Sequence, residues 1–329
     1  RRGKRFLDLT ESNPTKCGFF WNKTNVENEH VYEPDPRGSL AARRAVSDYY
    51  AKKGARVRPQ DIFLTASTSE AYHYLFRLLC DPGESVACAQ PSYPLFDTLA
   101  AMDDVSLKKY SLVYDGGWRL DLESLERALP GARALLVVHP NNPTGHFVSA
   151  GERKAIRRMC SAEGVPLIVD EVFHDFVWKK KAPPSFAGDE TPAFTLSGIS
   201  KILGLPQMKI SWIVLSGPES FKKEAAEHLE TLADAYLSVN APAQKALPRW
   251  LSSSGPVIRE IARRVAANRR FLEKGSLSTG AVEVLKAEGG WYSLLRLKGG
   301  RNDEEAALFL LKEKDVLTHP GYFYDLPEG

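Results

Sequence analysis

The chain has 329 residues, 43% of them hydrophobic and 26% charged, the proportions of an ordinary globular protein with room for two packed units or one large domain with an annex. Its 44 basic and 41 acidic residues leave a formal charge of +3, which argues against a nucleic acid or a membrane surface recruited by bulk charge. No apolar run approaches the roughly 20 residues of a membrane span, and Cys17, Cys80, Cys88 and Cys160 show neither C-x-x-C spacing nor scaffold density, so they read as reduced thiols in a cytoplasmic protein without a metal site.

The first 35 residues, rich in Asn, Pro and aromatics, carry no core of their own and must pack on something else. Leu40, Ala42, Val46, Tyr49 and Tyr50 recur at helical spacing after a Pro/Gly-rich start and predict a helix over 39–53. Short apolar runs then predict strands at 62–65, 85–89, 106–110, 134–138 and 166–169, separated by helical patterns at 71–79, 96–102, 122–129 and 150–163. Two more apolar runs flank Lys201. This alternation predicts an α/β fold: a large, mostly parallel sheet sandwiched by helices. After Pro218 the pattern turns helical, at 221–237, 243–251 and from 256 to about 274, and a closing α+β unit follows, with strands at 282–285 and 291–297, a helix at 303–314 and a last segment at 316–324. The expected organisation is a large domain over 36–250 and a smaller one made from 1–35 and 251–329.

In such sheets ligands bind beyond the carboxyl ends of the strands, and the polar clusters of this sequence fall there. A phosphorylated aromatic aldehyde needs an amine for its aldehyde, an acid beside its pyridine nitrogen, a donor to its phenolate oxygen, a flat side chain over its ring, and amides and hydroxyls for its phosphate. Lys201, in a Ser/Gly-rich turn between two apolar runs, is the candidate amine, and Asp170, ending the 166–169 run, the candidate acid. Asn142 would supply the donor, Tyr93 the flat ring, and Ser67, Thr68 and Ser69 the phosphate cup at a helix start. Each has a plainer reading as a cap, turn or packing residue. What those readings leave unexplained is the order of all five along one α/β pattern.

With these residues in place the sequence resembles the class I/II aminotransferases, which are fold-type-I pyridoxal-phosphate enzymes. The matching stretches are Y-E-P-D-P-R-G from Tyr32, T-A-S-T-S-E-A from Thr65, P-S-Y-P from Pro91, H-P-N-N-P-T-G from His139, V-D-E-V-F from Val169 and S-G-I-S-K from Ser197; S-V-N-A-P-A-Q around Asn240 and E-G-G-W-Y around Trp291 match more weakly. The resemblance implies a cytoplasmic homodimer that uses pyridoxal 5'-phosphate, held by Lys201 through its aldehyde, to move an amino group between an amino acid and a 2-oxo acid. Nucleic acid, membrane and metal have no part in it. It places Phe173, Ser200 and Lys209 in the cofactor site and Tyr32 on the phosphate of the partner subunit. Asn13, Trp21, Asn142 and Asn240 fall toward the substrate, and the aromatic N-terminal segment, with Phe19, Phe20 and Trp21, suits a neutral, apolar side chain. A lyase on the same fold, or a non-catalytic ligand-binding module, would share these motifs.

Four positions depart from the family pattern. Phe173 replaces a tyrosine that donates to the phenolate oxygen, leaving Asn142 as the main side-chain donor. Gly198 replaces a phosphate-touching serine, Lys209 an arginine, and Ser211 a glycine; exchanging a bidentate fork for a point charge weakens the phosphate cup, so poorer cofactor retention is expected. The arginine that clamps the substrate carboxylate is expected past Gly329.

Overall fold

A run such as Leu-Leu-Val-Val at 135–138, apolar on both faces, is stable only inside a sheet covered on both sides, and that is where the computed structural model of the protein places it. Residues 6–14, 16–19, 33–178, 182–299 and 302–326 are described. Strand β1 (Leu7–Asp8) precedes helix α1 (Leu40–Ala51). The alternating part then runs β2 (Ile62–Thr65), α2 (Thr68–Leu79), β3 (Ser85–Gln90), α3 (Leu95–Met102), β4 (Ser106–Tyr114), β5 (Trp118–Leu120), α4 (Leu122–Ala128), β6 (Leu135–Val138), α5 (Ala150–Glu163) and β7 (Leu167–Asp170). Strand β8 (Ala193–Gly198), the one-turn helix α6 (Ile199–Ile202) and strand β9 (Ser211–Ser216) complete it. Three helices follow, α7 (Glu219–Tyr236), α8 (Ala241–Ser252) and α9 (Gly255–Thr279), and then β10 (Val282–Val284), β11 (Leu295–Leu297), α10 (Asp303–Lys314) and β12 (Val316–Leu317).

Eight strands form one sheet in the order β2-β9-β8-β7-β6-β3-β4-β5. Its centre, from β4 through β3, β6 and β7 to β8, is parallel, as expected, while β9 runs antiparallel between β8 and β2, and β5 antiparallel beside β4. A parallel neighbour to β8 would need a crossover helix, and α6 is a single turn, so the chain comes straight back. Alternate residues enter opposite cores. Leu136, Val138, Ile168 and Leu196 pack with α2 and α7, whereas Leu135, Val137, Leu167 and Val169 pack with α4 and α5.

Several boundaries differ from the expected ones for identifiable reasons. Helix α2 begins at Thr68 rather than 71, because the Ser67 hydroxyl accepts the Glu70 N–H at 3.1 Å and Glu70 reaches back to the Ala66 N–H at 2.7 Å. Strand β4 extends to Tyr114 by pairing with β5, which the apolar pattern did not reveal. The strand expected over 291–297 keeps only Leu295–Leu297, paired with β10. At the other end of the chain β1 pairs in parallel with β12, so the first and last described segments lie side by side.

The loop after β6 is locked to the segment before Trp291. Gly145, at φ 69, accepts the N–H groups of Glu288 and Gly289 at 3.0 and 3.1 Å. A Cβ there would stand 2.5 Å from the Gly289 carbonyl oxygen and 2.7 Å from Ala287 Cβ. Gly145→Ala is therefore expected to destabilise the protein by about 2 kcal/mol or more, combining the left-handed backbone penalty with overpacking. The check is a lower urea midpoint at an unchanged m-value.

Candidate active site

Strand β7 delivers Asp170 to the end of the sheet, opposite Leu196 of β8, and β8 delivers Lys201 one turn further on. Asp170 is 6% exposed; its Oδ2 accepts from the Tyr72 hydroxyl at 2.8 Å and its Oδ1 from the Val172 N–H at 3.0 Å. Burial pushes its pKa up to about 6, and those two hydrogen bonds restrain the rise. The Lys201 ammonium lies 5.3 Å from the ring centroid of Trp291 and 5.7 Å from that of Phe173. Burial lowers its pKa, opposed by the charge of Asp170. A lysine so placed loses its proton, and becomes nucleophilic, more readily than a solvated one.

Asn142 is buried in the loop after β6, where Asn141 Oδ1 accepts the Thr144 N–H and hydroxyl at 3.3 and 2.8 Å and holds the turn. Asn142 Oδ1 has no hydrogen-bond partner. Its amide and Ser12 both hydrogen-bond the Tyr292 hydroxyl, whose pKa burial nevertheless raises. Phe173 meets Trp291 and Tyr292 edge-on, with centroids at 5.4 and 5.9 Å, so these rings wall the amine. Sequence reasoning missed Tyr72 and Tyr292. The spacing of Tyr72 from Thr68, one helical turn, was the available signal.

The remaining candidates are distributed around this centre. Ser67 caps α2, and Thr68 and Ser69 form its first turn, half-buried. Tyr93, 39% exposed, stands edge-on to Phe96 at 5.5 Å. Ser200 is half-buried in α6; Lys209 is exposed, at φ 51, and has no ion-pair partner among the described residues. Asn13 lies next to Pro14, which faces Gly204, and Phe19 packs with Phe173, Phe176 and Ile261. Asn240 caps α8 through the Ala243 N–H at 2.9 Å and donates to the Met208 carbonyl at 3.4 Å, so both ends of its amide are occupied. Tyr32, Phe20 and Trp21 lie outside the described residues.

On the other face of the sheet His139, Glu171 and His174 form a buried cluster with metal-ligand spacing. Several of its polar atoms are already hydrogen-bonded. Glu171 accepts from the Ser185 hydroxyl at 2.6 Å and the Phe186 N–H at 2.7 Å, while His139 Nδ1 accepts the Val148 N–H at 3.1 Å, which puts its proton on Nε2. His174 donates from Nε2 to the Pro183 carbonyl at 3.0 Å. The cluster is a polar brace for the loops behind Asp170.

The chain belongs to the aminotransferase class I and II family, whose profile matches residues 27–329. It is 26% identical over 299 residues to nicotianamine aminotransferase 1 of Oryza sativa subsp. japonica, covering 86% of this chain and 60% of the rice protein, less than two thirds of that relative's length. With the S-alkyl-thiohydroximate lyase of Arabidopsis thaliana it shares 33% identity over 186 residues, 55% of this chain and 40% of that one. The fold is that of alanine aminotransferase from Pyrococcus furiosus, with a TM-score of 0.88 over 98% of this chain and 85% of that chain at 23% identity. The cofactor of the family is pyridoxal 5'-phosphate. No described helix is long and apolar enough to cross a membrane.

Proposed function

We propose that the protein is a pyridoxal-phosphate-dependent aminotransferase, moving an amino group between a neutral or apolar amino acid and a 2-oxo acid. One observation carries this reading. A half-buried amine and a buried carboxylate, Lys201 and Asp170, feel each other's charge yet form no ion pair among the described residues. Opposite charges taken out of water normally pair, so their separation fits a group placed between them. The unpartnered end of the Asn142 amide, a donor once the two ends are exchanged, supports the same fit.

The bound cofactor supplies an electron sink conjugated with the substrate nitrogen. Lys201 holds its aldehyde end, and Nζ, with its pKa lowered by burial, takes and returns the proton at the substrate Cα. Asp170 keeps the ring nitrogen protonated, itself oriented by Tyr72 and the Val172 N–H. With the ends of its amide exchanged, Asn142 would accept from Tyr292 at Oδ1 and have Nδ2 free to donate to the ring oxygen. Ser67, Thr68, Ser69 and the amides opening α2 receive the phosphate, with Ser200 and Lys209 on the α6 side. Tyr93 covers a ring face, and Phe173 and Trp291 keep water from the amine.

The same reading assigns Tyr32 to the phosphate of the partner subunit in a cytoplasmic homodimer, with Asn13, Trp21, Asn142 and Asn240 toward the substrate. Residues 36–250 then form the cofactor domain, and 1–35 with 251–329 the smaller one. The likeness to a thiohydroximate lyase favours a second reading, elimination of a β- or γ-substituent. Single amino acids added to the loaded protein without an acceptor separate the two. Transamination yields one equivalent of 2-oxo acid per site and the amine form of the cofactor; continued release of ammonia with thiol or pyruvate assigns the lyase, and no product from any amino acid overturns both.

A further inference from the structure

We propose that the Ser211 hydroxyl donates a hydrogen bond to the cofactor phosphate, so that β9, rather than β8, supplies this part of the phosphate site. The proposal rests on the aminotransferase reading above and goes beyond it. Ser211 opens β9 between Thr65, the last residue of β2, and Gly198, the last of β8. These three form a row across the sheet at the end where β7 delivers Asp170. Strand alternation puts Ser211 on the face of Ile213 and Leu215, which pack with Ala71, Tyr72 and Leu75 of α2. Helix α2 itself starts three residues beyond Thr65, whose hydroxyl donates to the Ser67 carbonyl at 3.0 Å. The side chain of Ser211 therefore lies on the α2 face of the sheet, beside the opening turn of that helix.

Ser211 is only 2% exposed, and its hydroxyl has no hydrogen-bond partner among the described residues. That hydroxyl is therefore free to donate to a bound group. Helix α2 opens on this face at Thr68, and the first amides of a helix have no partner within it. Glu70, in the first turn of α2, accepts the Ala66 N–H and the Ser238 hydroxyl at Oε2, each at 2.7 Å. A hydroxyl beside the opening turn of a helix, able to donate alongside its first amides, is suited to an anion with several acceptor oxygens.

Gly198 supplies an independent constraint. Its backbone is extended (φ 177, ψ 167), a conformation open to any residue, so nothing in its own geometry demands glycine. What forbids a side chain is Ser211: a Cβ on Gly198 would lie 2.9 Å from Ser211 Cβ, closer still to Ser211 Oγ, and 3.0 Å from the Ile210 carbonyl oxygen. This row has room for one side chain between β8 and β9. Glycine at 198 and serine at 211 are thus a single exchange of the hydroxyl from one strand to its neighbour, and the loss of cofactor retention expected from these two positions cancels.

The test measures dissociation constants of pyridoxal phosphate and of unphosphorylated pyridoxal for the full chain stripped of cofactor. Ser211→Ala, which keeps Cβ, is expected to bind pyridoxal phosphate roughly tenfold or more weakly, the size of a hydrogen bond to a charged group, with pyridoxal binding unchanged. Gly198→Ser alone should lower both affinities through the clash, and the double variant G198S/S211G should restore that for pyridoxal phosphate. Unaltered binding by Ser211→Ala, or equal losses for the two ligands, overturns the proposal while leaving the enzyme reading intact. A wild-type protein that takes up neither ligand overturns the enzyme reading, and the role of Ser211 with it.

Discussion

Lys201→Ala is expected to leave a folded protein that gains no covalent mass when incubated with pyridoxal phosphate and then reduced with borohydride. Amino-group transfer should fall by roughly 10³-fold or more, because the variant loses both the amine and the proton carrier, and general acid–base catalysis alone contributes about 10²–10⁴-fold. The environment of the residue explains why no neighbour substitutes. Phe173 and Trp291 flank the amine, and Lys209, at the far side of the turn after α6, is exposed. Lys201→Arg sharpens the test: it keeps a positive charge among the rings, yet a guanidinium stays protonated and cannot form the bond. Continued labelling of either variant would move the attachment to another lysine and sink the assignment.

Asp170→Asn is expected to separate stability from function. In the cofactor-free protein burial raises the Asp170 pKa from the ordinary carboxylate range to about 6. The folded state therefore holds this proton more tightly than the unfolded chain. The associated stability is complete below a pH of about 4, declines as the pH rises, and is gone above about 6. Asparagine carries no charge to desolvate and can still accept from Tyr72. At pH 7 the cofactor-free variant should accordingly be more stable than the wild type, by about 3 kcal/mol at most, with the difference vanishing at pH 4. Amino-group transfer should fall by roughly 10²-fold or more, since the ring nitrogen loses its anionic partner. Urea unfolding of both proteins across this pH range decides the matter; a variant less stable at pH 7 would show that the carboxylate is ionised and compensated in the empty site.

Much of this arrangement was legible in the sequence because it follows from local rules. The helix Ala150–Glu163 was readable from end to end, since Ser149 and Glu152 form a capping box and Gly164 ends it in the left-handed conformation. Asp170 and Lys201 could be placed at strand ends because their flanking runs are apolar, and β7 does pair with β8. What escaped depends on register and on distant partners. Strand β5 is three residues long and exists by pairing with the end of β4. The meeting of Gly198 with Ser211 arises from an antiparallel register that no spacing rule shows. Phe173 read as a donor lost, whereas in three dimensions it is one side of the aromatic wall around the amine.

The pairing of β1 with β12 sets an order of events. The Leu7 N–H donates to the Asp315 carbonyl at 2.6 Å and the Leu9 N–H to that of Leu317 at 2.9 Å, contacts that join residues at nearly opposite ends of the described chain. Closing so long a loop adds only modestly to the entropic cost, but it delays the contact. During synthesis the β1 segment must wait until β12 has emerged, by which time the eight-stranded sheet has every strand it needs. The segment that follows β1, with Pro14 facing Gly204 and Phe19 packed with Phe173, thus ties the Lys201 site to the far end of the described chain, and loosening the β1–β12 pair would loosen a wall of that site.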